Sequence, residues 1–88
     1  MAHHYRITVE PLGTDGAGDR LEFEVANHDD LLEIVDSVRE KAVIPASEAA
    51  EFSIGLKLFA DVLRRHRRDP LFEPLWPHFG DFMKRLKS

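Results

Sequence analysis

Five histidines, His3, His4, His28, His66 and His78, come first, because imidazole near neutral pH serves as a general base and as a metal ligand. Their spacing supports neither role. His3 and His4 are adjacent in a segment of strand character, so their side chains point to opposite faces and cannot chelate together. His28 precedes Asp29 and Asp30, the order of a base beside an orienting carboxylate. The chain has no cysteine, however, and no serine stands near enough in sequence to act as the nucleophile. Helix capping accounts for that trio more simply. The glycine-rich run GTDGAG (13–18) lacks the Lys-Ser/Thr pair of a phosphate-binding loop. No catalytic, cofactor-binding or metal-binding residue is assigned, no cofactor is expected, and the chain is not read as an enzyme.

Two other features could carry binding. Arg64, Arg65, His66, Arg67 and Arg68 form a basic run whose guanidinium forks suit phosphate or carboxylate. Cations also belong in the last turn of a helix, where they oppose the macrodipole, and consecutive helical residues fan around the axis instead of forming one flat patch. The second feature is DPLFEPLWPHFGDFM (69–83), in which Pro74-Leu75-Trp76-Pro77 has PxxP spacing. Polyproline ligands are exposed, yet Leu71 to Phe79 contains five large apolar side chains, each worth about 1.5–3 kcal/mol on burial. The prolines therefore read as punctuation before the last helix, with Leu75, Phe79 and Phe82 in the core. Trp76 lies off that stripe. The candidate interaction residues are accordingly Trp76, Arg64, Arg65, Arg67 and Arg68.

The elements that must position these residues follow from periodicity. HYRITVE (4–10) and RLEFEVA (20–26) alternate apolar and polar residues, which predicts two strands. The nine-residue connection is too short for a parallel crossover, so they form an antiparallel hairpin. Pairing residues whose numbers sum to 30 puts Tyr5, Ile7 and Val9 opposite Val25, Phe23 and Leu21, and places Arg6 against Glu24 and Glu10 against Arg20. A helix is expected over about 28–42, capped by Asn27 or His28, with Leu31, Val35, Val38 and Ala42 on its inner stripe. A second, over about 46–67, is marked at its start by Pro45 or Ser47 and carries Phe52, Leu56, Phe59 and Leu63. Gly55 within it costs about 1 kcal/mol relative to alanine, which close approach of another element would explain. A third helix is expected over about 75–87. The order is ββααα, an α+β domain spanning 1–88 with the helices packed on one face of the hairpin.

Composition bounds the rest. The chain has 88 residues, 43% hydrophobic and 32% charged, the balance of an ordinary globular domain. Residues 1–44 hold four Lys/Arg against ten Asp/Glu, and residues 45–88 hold eight against six. Such a dipole argues against bulk affinity for nucleic acid. The absence of cysteine and of a signal-peptide-like apolar run points to the cytoplasm, and no apolar run reaches membrane-span length.

The segments HYRITVEPL, NHDDLLEIV, GLKLFADVL and PLFEPLWPHFGDFMKRLK, in this order, resemble a family of short uncharacterised bacterial proteins, a domain of unknown function. The similarity spans nearly the whole chain and is most specific from Gly55 through Lys87. Asp69 stands where members are expected to carry a histidine or similar residue. The resemblance implies a bacterial, cytosolic, single-domain protein and brings no catalytic residues with it. Function is thus expected to be a non-catalytic protein-interaction or self-association module, with a protein partner or a second copy and a homodimer in view. The alternative is a nucleic-acid-associated protein using Arg64–Arg68. No membrane partner is expected.

Overall fold

The computed structural model describes residues 2–13 and 19–87. It is an α+β chain of order ββααα: β1 (His3–Val9), β2 (Leu21–Asn27), α1 (Leu31–Lys41), α2 (Ala49–Arg65) and α3 (Trp76–Lys87), with a single 3-10 turn at Ala46–Glu48 ahead of α2. Residues 14–18, within the nine-residue connection between the strands, lie outside the described residues. The chain divides into two compact units, Met1–Asp30 and Leu31–Ser88.

The first unit is a two-stranded antiparallel sheet. Its register is the one the alternation demands: Tyr5 pairs with Val25, Ile7 with Phe23 and Val9 with Leu21. A slip of one residue would oppose apolar to charged side chains throughout. The polar face carries the expected ion pairs, Arg6–Glu24 at 3.5 Å and Arg20–Glu10 at 3.9 Å. Arg20 also reaches Glu22 at 3.3 Å. These pairs are exposed and each contributes about 0–1 kcal/mol, so they specify register more than they stabilise the sheet.

In the second unit α1 packs on the start of α2 through Val35, Val38 and Ala49, with Ile34, Ile44, Phe52 and Ile54 around them. The most enclosed face of α2 runs through small residues, Ala49 and Ser53, and then Leu63. Small side chains at i and i+4 let the neighbouring helix come close, and ranking by hydrophobicity passes over them. The Ser53 hydroxyl is buried without a hydrogen-bond partner among the described residues. Rings join α2 to α3: Phe59 meets Phe79 edge-on at 6.1 Å, and Phe79 lies 6.3 Å from Phe82.

Several boundaries differ from the periodicity, each for a local reason. The first helix begins at Leu31 instead of 28, because the buried Asn27 side chain accepts the Asp29 N–H at 3.0 Å and closes a turn before any helix can start. It ends at Lys41, and Ala42, expected on its inner stripe, is exposed with a φ of 54°. Ser47 lies within the 3-10 turn and caps nothing, while Pro45 is extended before it. The second helix stops at Arg65, where the His66 N–H is shared between the Val62 and Leu63 carbonyls. Gly55 is exposed, and a Cβ built there meets nothing within 4 Å, so no close approach explains it. Leu75 and Phe82, expected in the core, are exposed, and Phe79 is half-buried. Membership of an amphipathic stripe places a residue on a face, whereas burial requires a second element over that face.

Candidate functional site

The basic run begins in the last turn of α2 and leaves the helix. Arg64 and Arg65 are helical, His66 is the C-terminal cap, and Arg67 and Arg68 lie in the turn that follows. The turn is built by Asp69. Its N–H donates to the His66 carbonyl at 2.9 Å, its carboxylate lies 3.0 Å from His66 Nδ1, and its carbonyl accepts the N–H groups of Phe72 and Glu73. Pro70 supplies the local break, since the residue before a proline is disfavoured in the helical region. Asp69 is therefore the organising residue of this corner.

The arginines are partly committed. Asp61 takes Arg64 Nη2 at 3.3 Å through its carboxylate and Arg65 Nε at 3.2 Å through its carbonyl. Arg67 Nη1 donates to the Arg64 carbonyl at 3.4 Å. Its guanidinium also lies over the Trp76 ring, 5.9 Å from the centroid. Two features that the sequence kept apart, the basic run and the lone tryptophan, thus meet. No interaction joins Arg68 to another described residue. Arg64 through Asp69 line an open depression of about 340 Å³, with the Asp61 and Asp69 carboxylates offsetting part of the positive charge.

The Pro74–Pro77 stretch is not a polyproline segment. Residues 70–75 form successive turns, tied by the Leu75 N–H to the Phe72 carbonyl at 3.0 Å, and Trp76 and Pro77 are already in α3. Proline is tolerated in the first turn of a helix because its missing N–H would have no partner there.

The histidine candidates separate. His28 is exposed. Beside it, the Asp29 N–H donates to the Asn27 side-chain oxygen at 3.0 Å, and Asp30 Oδ1 accepts the Tyr5 hydroxyl at 3.5 Å. His3 stacks on Tyr5, two residues along the same strand face, with ring centroids 6.4 Å apart. Among the described residues no group of three or more His, Asp or Glu is placed to hold a metal ion. His78 borders an open depression of about 550 Å³ with Asp81, Phe82, Lys84 and Arg85, all on α3. The sequence reading did not find this surface. Its signal is the i, i+3, i+4, i+7 spacing of His78, Asp81, Phe82 and Arg85, which marks one helix face, with Lys84 at its margin.

A further surface lies on the hairpin. Val9, Leu21 and Phe23, three of the six paired apolar residues on one side, are 57%, 60% and 38% exposed, and Leu12 beyond the strand is 86% exposed. The period-two pattern identifies the apolar side and says nothing of what covers it.

Fold and surface together define a class: a small α+β protein, a hairpin followed by three helices, whose candidate residues lie on open surfaces. The chain belongs to the family described as "Domain of Unknown Function with solved-structure structure (DUF3861)", whose model matches residues 3–88. It is similar to the crystal structure of a protein of unknown function from Pectobacterium atrosepticum SCRI1043. The two are 36% identical, 99% of this chain and 98% of that one are covered, and the TM-score is 0.88. No curated protein matches the chain.

Proposed function

We propose that this protein is a non-catalytic interaction module whose first partner is a second copy of itself. The observation that carries this reading is the open apolar side of the hairpin, where Val9, Leu21 and Phe23 stay in contact with water. An isolated two-stranded hairpin is marginally stable in water, so a sheet of this size gains from added strands or a covering partner. The open, one-sided depressions at the basic corner and along α3 agree with contact surfaces more than with enclosed substrate sites. The cysteine-free sequence supports a cytoplasmic location, and no helix among the described residues is long and apolar enough to cross a membrane.

Light scattering at high micromolar concentration tests the reading, with the mass of two chains expected. A single-chain mass across that range would sink self-association. The second reading, nucleic-acid association through Arg64, Arg65, Arg67 and Arg68, is favoured by the basic depression and weakened by the Asp69 carboxylate within it and the Asp61 carboxylate paired with Arg64. A shift with DNA or RNA at about 50 mM salt that fades as salt rises would restore it.

A further inference from the structure

Resting on the self-association reading, we infer that two copies join edge to edge through β1, antiparallel, with Ile7 on the two-fold axis, giving a four-stranded sheet of order β2–β1–β1′–β2′. Among the described residues the sheet has only β1 and β2, so each strand has one unpaired edge. Such edges are templates for another strand, and charge decides which pairing is favoured.

At β2 charge opposes closure. The fully overlapped antiparallel pairing of two β2 strands sets Glu24 against the partner's Glu24, and a shift toward the loop sets Glu22 against the partner's Glu24 twice. A shift the other way leaves five pairs and places Phe23 opposite the partner's Asn27. Glutamates on an edge in this manner act against self-pairing.

At β1 one register satisfies both faces. With Ile7 opposite the partner's Ile7, Tyr5 meets the partner's Val9 on the apolar face, which gives the exposed Val9 a neighbour. On the polar face Arg6 meets the partner's Thr8, and His4 meets the partner's Glu10, with no acid opposite acid or base opposite base. Centring on Arg6 would instead place two arginines face to face. Centring on Thr8 shortens the pairing to residues 6–10 and brings Tyr5 to Pro11, which has no N–H to donate. A head-to-tail contact of β1 with the partner's β2 also matches in charge, but such a contact does not close and would grow into open assemblies.

The native chain has no cysteine, so single cysteines report pairing cleanly. Directly opposed strand residues come close to the Cβ separation that a disulfide needs. Ile7→Cys is expected to form a linked dimer on mild oxidation, and to lose that ability in denaturant. Because Ile7 is half-buried, the exposed positions provide an independent check: an equimolar mixture of Arg6→Cys and Thr8→Cys should give a mixed linked dimer, while neither does so alone. If the wild type is dimeric but Phe23→Cys links and Ile7→Cys does not, or Arg6→Cys links to itself, this edge or register is overturned and self-association stands. Assembly beyond two copies also overturns the closed pairing. A monomer at high micromolar concentration removes both.

Discussion

Ala42 takes a φ of 54° immediately after α1, and its N–H donates to the Arg39 carbonyl at 3.2 Å. That left-handed position closes a helix, and glycine is its usual occupant because a Cβ there meets the following carbonyl. Gly55 is the reverse case, a glycine exposed within α2 with free space where a Cβ would stand. The two residues are exchanged relative to their conformational preferences. Ala42→Gly should therefore raise stability by about 0.5–1 kcal/mol and Gly55→Ala by about 1 kcal/mol, each a rise of about 4–8 °C per kcal/mol in the melting temperature. Thermal unfolding followed by circular dichroism checks both. The sequence showed that Gly55 was unusual but assigned it a packing role. Whether a neighbour lies above a helical glycine depends on the angle at which other elements cross it, and periodicity carries no such angle.

At the scale of elements, the hairpin register was legible because two independent patterns agreed. The apolar alternation and the Arg6–Glu24 and Arg20–Glu10 pairs all select the same alignment. Helix ends were less legible. The first turn of the expected helix at 28 was lost to the Asn27 side chain, a local hydrogen bond competing with the helical ladder. The corner between α2 and α3 was read as proline punctuation plus a basic run. The turn built by Asp69 then folds the chain back so that Arg67 covers Trp76. If that contact is energetic as well as geometric, Arg67→Ala and Trp76→Ala will cost less together than the sum of each alone. A double-mutant cycle should return about 0.5–1 kcal/mol of coupling, the scale of an exposed cation–π pair, and zero coupling would make the contact incidental. The same coupling means that a partner lost on changing Trp76 has to be tested against Arg67 as well.

For the whole molecule, the short core is the governing fact. Among the described residues only Leu31, Val35, Val38, Ala49 and Leu63 are buried hydrophobics, while large apolar side chains remain exposed on the hairpin and on α2 and α3. A chain of this size has little area to spare for stability. If two copies close through β1, the melting temperature should rise with protein concentration, because association draws the equilibrium toward the folded form. Melting curves that superimpose over a hundredfold concentration range would contradict the dimer. By itself the sequence determined the class of each segment, the strand register and the order ββααα, since these follow from side-chain period and from pairings that only one alignment satisfies. Only the tertiary structure decided that Leu75 and Phe82 are exposed, that Ala49 and Ser53 form the closest face of α2, and that the arginine run meets Trp76. Each of those depends on which element crosses which face, and that is settled by contacts distant in sequence.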